Sequence, residues 1–116
     1  MIAIRGATSV EKDTPEHVRS RVKELFEEIV SRNKIRRIEA IIFSVTKDIQ
    51  SLNPATVLRE DRSLDSVALM CFQEAQFNGS PEKIIRILIF CDSDTREFVY
   101  LHGAQKLRPD LAEVRG

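Results

Sequence analysis

Net charge is the first thing this chain lacks. Its 116 residues carry eighteen Lys and Arg against eighteen Asp and Glu, so overall charge supplies no attraction to nucleic acid or to a membrane surface. Cysteine is scarce as well: Cys71 and Cys91 stand in no metal-ligand spacing and read as free buried thiols in a reducing compartment. No apolar run approaches the roughly 20 residues that span a bilayer, and no basic-then-apolar leader precedes Ile2. The expectation is a soluble, cytoplasmic protein. Linkers, repeats and low-complexity tracts are missing, which leaves one domain over residues 1–116, large enough for a single core and small enough to gain from oligomerisation. The usual catalytic sets are missing too. There is no Gly-rich phosphate loop, no HExxH and no GxSxG, and the two histidines, His17 and His102, are poor material for a general base.

What is present centres on Lys83 to Phe90. Ile84, Ile85, Ile87, Leu88, Ile89 and Phe90 are too apolar to face water on either side, so the run predicts a central strand buried on both faces. Alternation places Arg86 on the face of Ile84, Leu88 and Phe90, where an unpaired guanidinium is costly to desolvate. An anion must meet it. Either a carboxylate of the same protein does so, or Arg86 belongs to an anion site, and this stretch alone leaves both open.

Taken in order, Met1 to Ile4 reads as a short strand closed by Arg5-Gly6-Ala7-Thr8, with Arg5 as a strand end beside small residues. Thr14 as N-cap and Pro15 at N1 open a helix to Arg32, with Val18, Val22, Leu25, Phe26, Ile29 and Val30 at helical spacing. A second strand covers Ile38 to Thr46. Asn53-Pro54 opens a short helix ending at Arg59, where a mobile lip over a cleft would lie. Ser66 to Phe72 is a third strand, and strict alternation puts Cys71 and Glu74 on opposite faces. A site using both requires that strand to end or bulge at Gln73. Asn78-Gly79-Ser80-Pro81 is a turn, with Pro81-Glu82 able to start one helical turn. Phe98 to Leu101 is a last short strand. His102 to Lys106 is open between loop and helical turn, and Leu107-Arg108-Pro109 bends the tail away. The sum is an α+β fold, a mixed β-sheet with one long helix packed on one face. Its other face, equally apolar, calls for a second subunit.

Several arginines at element ends, with one Glu, one Cys and one Tyr, suit a small polyanion that is held and rearranged rather than hydrolysed. Ile4-Arg5-Gly6-Ala7-Thr8-Ser9-Val10-Glu11, Cys71-Phe72-Gln73-Glu74, Ile85-Arg86, Val99-Tyr100-Leu101 and Leu107-Arg108-Pro109-Asp110-Leu111, in this order and spacing, resemble the AroH-type chorismate mutases nearly end to end. The resemblance implies a homotrimer with a pseudo-barrel of sheets and active sites in the clefts between subunits. It implies conversion of chorismate to prephenate without metal or coenzyme. It also implies roles: Arg86 donating to the ether oxygen, Glu74 accepting from the ring hydroxyl with Cys71 beside it, Arg5 and Tyr100 on substrate carboxylates, Arg59 reaching in from the lip, and Leu107 and Arg108 in the closing tail.

Two positions depart from the family pattern. Where it has an aromatic residue and a lysine before Arg59, this chain has Asn53 and Thr56, so the rim is less apolar and less basic. A different class of protein, a non-catalytic oligomeric module that binds a small dicarboxylate, would use the same arginines but has no need of Glu74. The small trimeric deaminases also place an arginine at a subunit cleft, yet none of their motifs is found here.

Overall fold

Ten residues, Ile84–Ser93, form the middle strand around which the sheet is laid out. The computed structural model describes residues 1–111. In chain order they form β1 (Ile2–Ser9), α1 (Pro15–Arg32), β2 (Ile35–Val45), α2 (Pro54–Arg59), β3 (Ala68–Gln73), β4 (Ile84–Ser93) and β5 (Val99–Tyr100). Short 3₁₀ turns cover Arg62–Leu64 and His102–Leu107. The strands pair in the order β3-β2-β4-β1-β5. β4 runs antiparallel to both neighbours, while β3 on β2 and β5 on β1 are parallel.

Alternation then sorts the side chains. Ile85, Ile87, Ile89 and Cys91 of β4 lie in register with Ile41, Phe43 and Val45 of β2 and with Ile4 of β1, and all of these are buried. Against this face pack Val18, Val22, Leu25 and Ile29 of α1, and Val57 and Leu58 of α2. Each such side chain contributes on the order of 1.5–3 kcal/mol by leaving water. Thr14 caps α1 by accepting from His17 N at 3.3 Å, with Pro15 just inside, as the sequence pattern predicts.

The opposite face is different. Ile42, Leu88 and Phe90 are half-buried there, and Met70 and Phe72 are 54% and 50% exposed. The expectation that β4 is buried on both faces therefore holds for one face of the chain by itself, because no element of the described residues covers the middle of the other.

Strand ends shift by a few residues from the sequence reading: β2 starts at Ile35, β3 covers Ala68–Gln73, β4 runs on to Ser93 and β5 keeps only Val99–Tyr100. Three further differences bear on the site. β1 does not close at Arg5 but runs on to Ser9, since Gly6 is a packing glycine rather than a breaker: a Cβ there would sit 2.8 Å from the Val99 carbonyl and 3.0 Å from Ile29 Cδ1. Pro81-Glu82 starts no helical turn, and the chain enters β4 through Lys83 at φ 52°. The tail does turn at Arg108, whose backbone is not helical. It then folds back rather than away, setting Leu107 and Leu111 against Ala7, Ile84, Tyr100 and Ala104.

Candidate active site

Arg86 stands at the middle of the open face, opposite Ala7 on β1 and Ser44 on β2. Its anionic partner belongs to the same chain: Nε donates to Glu74 Oε1 at 2.7 Å. β3 ends at Gln73, and Glu74 N then donates to the Val45 carbonyl at 2.8 Å. This hydrogen bond holds Glu74 beside β2, one strand away from Arg86. The Arg86 side chain is 38% exposed and that of Glu74 18%, so the pair is half-buried rather than sealed. Glu74 also borders a smaller hollow of about 120 Å³ toward Thr46, Asp48 and Glu82.

Arg5 and Tyr100 come to Arg86 from the β1 side. Arg5 pairs with Leu88 and Ala7 with both Arg86 and Tyr100, so all three functional side chains rise from one face. With Gly6, Ile42, Ser44, Ile87 and Leu88 they line an open trough of about 250 Å³. Arg5 is exposed and its guanidinium carbon lies 5.0 Å from the centre of the Phe98 ring. Tyr100 is buried against Ala7 and Ile84 under the folded-back tail.

β5 is only two residues long, and what fixes it is Asn33 at the end of α1. The Asn33 amide donates to the Ile29 and Glu97 carbonyls at 2.9 and 3.0 Å, and its oxygen accepts from Thr95 Oγ1 and Glu97 N, both at 2.8 Å. A buried amide with all of these bonds made locks the approach to β5, hence the height of Tyr100 over the trough.

The tail supplies Leu107, packed on the Tyr100 cluster, and Arg108. Arg108 donates from Nε and Nη2 to Asp110 at 3.1 and 3.0 Å. That carboxylate pushes the Arg108 pKa up, with a smaller contribution from the nearby Tyr100, and Asp110 is held below its ordinary value in return.

Two residues singled out in the sequence lie elsewhere. Cys71 is in register with buried Phe43 and packs against the α1 core, so within one chain it faces away from the trough, as strict alternation from Glu74 requires. Burial pushes its thiol pKa up, which leaves it a poor nucleophile. Arg59 donates to the carbonyls of Leu64, Asp65 and Val67 at 3.3–3.4 Å and holds the α2–β3 connection together, remote from Arg86. Conversely, Ser44 and Phe98 border the site without having been singled out. The signal for Phe98 is its two-residue offset from Tyr100, which puts both on one face of a strand.

Comparison with known proteins gives the family and the fold. The chain matches the family described as chorismate mutase type I over residues 1–111. It is 38% identical to chorismate mutase AroH of Thermus thermophilus over 119 aligned positions, covering 97% of each chain. It is 35% identical to chorismate mutase AroH of Bacillus subtilis, over 94% of this chain and 91% of the relative. In structure it resembles a chorismate mutase from Clostridium thermocellum with a TM-score of 0.83 at 36% identity, covering 91% of this chain and 99% of that one.

Proposed function

The chain belongs to the chorismate mutase type I family and is a chorismate mutase, and from that premise we propose that it rearranges chorismate to prephenate in the trough around Arg86, with a neighbouring copy of the chain closing the cleft. The observation that carries this reading is the convergence of Arg5, Arg86 and Tyr100 on one trough, with a carboxylate, Glu74, on Arg86 at 2.7 Å.

The reaction is a unimolecular Claisen rearrangement. The enzyme has to hold the enolpyruvyl side chain over the ring and stabilise the charge that builds on the ether oxygen as the C–O bond breaks. Glu74 orients Arg86 through Nε, and the remaining donors of the fork are directed to that oxygen. Because this charge is fixed before the reaction, one such donor is worth about 10²–10³ in rate, roughly 3–4 kcal/mol. Arg5 binds a substrate carboxylate by paired N–H donors, Tyr100 helps fix the side-chain carboxylate, and Glu74 accepts from the ring hydroxyl. Leu107 and Arg108 form the lip on the Tyr100 side.

A neighbouring copy completes the site. The half-exposed apolar strip of Ile42, Met70, Phe72, Leu88 and Phe90 supports a homotrimer that buries it, with a pseudo-barrel of sheets inside. Arg59 and Cys71 can reach such a cleft only from the adjacent chain, by way of α2 and the edge strand β3. Asn53 caps α2 by accepting from Ala55 N at 2.8 Å, and Thr56 is exposed, so both departures from the family pattern sit on the part of the rim that the neighbour presents.

The test is an ultraviolet time course with purified protein and chorismate, followed by acid conversion of prephenate to phenylpyruvate. Saturable prephenate formation that is lost in Arg86→Ala is the expected result. A folded, oligomeric protein with no rate above background would favour a binding module for a small dicarboxylate instead.

A further inference from the structure

We propose that Phe98 is a positioning residue for Arg5: its ring holds the guanidinium at the edge of the trough while leaving the N–H donors to the substrate carboxylate. The inference rests on the reading of Arg5 given above. The β1–β5 pairing sets Gly6 against Val99 and Ala7 against Tyr100, and one further step in the same register brings Phe98 beside Arg5 on the open face. There the guanidinium carbon lies 5.0 Å from the ring centroid, within the range of a cation–π contact. The ring itself is fixed, because Phe98 packs against both the main core and the Ala7–Tyr100 cluster.

The three arginines of this region are held in different ways. Arg86 is held through its Nε by Glu74, and Arg108 through Nε and Nη2 by Asp110. Those carboxylates orient their partners but occupy donors and offset charge. An aromatic face orients a guanidinium from above its plane and occupies none of its five in-plane donors. For an exposed arginine that must meet an anion with two parallel hydrogen bonds, this is the arrangement that lowers the entropic cost of binding without neutralising the site.

Steady-state kinetics with chorismate on Phe98→Leu, Phe98→Tyr and a variant carrying trifluorophenylalanine at position 98 test it. Loosening Arg5 weakens ground state and transition state alike, so in Phe98→Leu KM rises about 5- to 30-fold while kcat stays within about twofold. Phe98→Tyr restores KM. Fluorination weakens the ring's electrostatic attraction with little change of shape, so KM rises part of the way in a protein that packs normally. In an Arg5→Ala background, Phe98→Leu has no further effect.

Several results overturn the proposal: an unchanged KM in the fluorinated variant, additive losses in the Arg5→Ala background, or a fall confined to kcat. They would make Phe98 a packing residue only. An Arg5→Ala variant with wild-type kcat/KM would instead overturn the role of Arg5 itself. If Phe98→Leu does not fold, the fluorinated variant decides.

Discussion

Arg86 is paired, half-exposed and central, and those properties together make it useful. A fully buried guanidinium would need its whole fork satisfied by the protein, and a fully exposed one would be screened by water. With Nε on Glu74, the group is oriented but not exhausted. Lysine keeps the charge and loses the fork, so it cannot donate to Glu74 and to a second oxygen from fixed directions. Arg86→Lys is therefore expected to fold and assemble normally while kcat falls about 10²–10³-fold, roughly 3–4 kcal/mol. Turnover near wild type, in a protein of unchanged mass in solution, would remove Arg86 from the mechanism. At this scale much was legible beforehand. Arg86 in an apolar run demands an anion, and alternation along 71–74 already places Glu74 and Cys71 on opposite faces. That the anion is Glu74 was open between pairing and function, and the structure joins the two alternatives: the pair exists, and it borders a trough.

Among the elements, the shortest one needs the most support. β5 has two residues and a single neighbour, yet it carries Tyr100 to the site. Asn33 holds the approach to it through four hydrogen bonds from a buried side chain. Asn33→Ala leaves the Glu97 backbone N–H and the Ile29 carbonyl without this partner, at a cost of about 2–3 kcal/mol in stability. A lower urea midpoint at unchanged slope, together with a raised KM, is the expected pattern. An unchanged midpoint would mean that water replaces the amide and that β5 is held by the tail alone.

The long helix and the middle strand could be read from the chain because each signals itself locally, by the Thr14-Pro15 cap and by an unbroken apolar run. The extent of β1 could not. Arg5-Gly6 looks like a strand end unless one knows that Val99 and Ile29 press on Gly6 from elsewhere in the sequence. For the same reason the offset of Phe98 from Tyr100 indicates which face it shares but not that Arg5 lies beside it, since pairing between segments more than ninety residues apart is a property of topology rather than of either segment.

The whole molecule has one finished face and one unfinished face. α1 and α2 seal the first, whereas the second leaves Met70 and Phe72 half-exposed around the trough, as an apolar surface awaiting a partner does. Arg59 belongs to α2, which packs on the core face of the sheet rather than the face that carries Arg86, and is tied to the carbonyls of Leu64, Asp65 and Val67. If it serves a cleft, that cleft belongs to an adjacent copy, and the arrangement can be tested without a structure of the assembly. Arg86→Ala and Arg59→Ala homo-oligomers should each be nearly inactive. Dissociated, mixed in equal amounts and reassembled, they should regain activity, because roughly a quarter of the clefts formed by random pairing receive an intact Arg86 from one chain and an intact Arg59 from its neighbour. Recovery to about that fraction, with KM equal to that of the wild type, is the signature of a site shared between chains. No recovery from oligomers shown by native mass measurement to be mixed would mean that Arg59 acts within its own chain, through the fold of the α2–β3 connection alone.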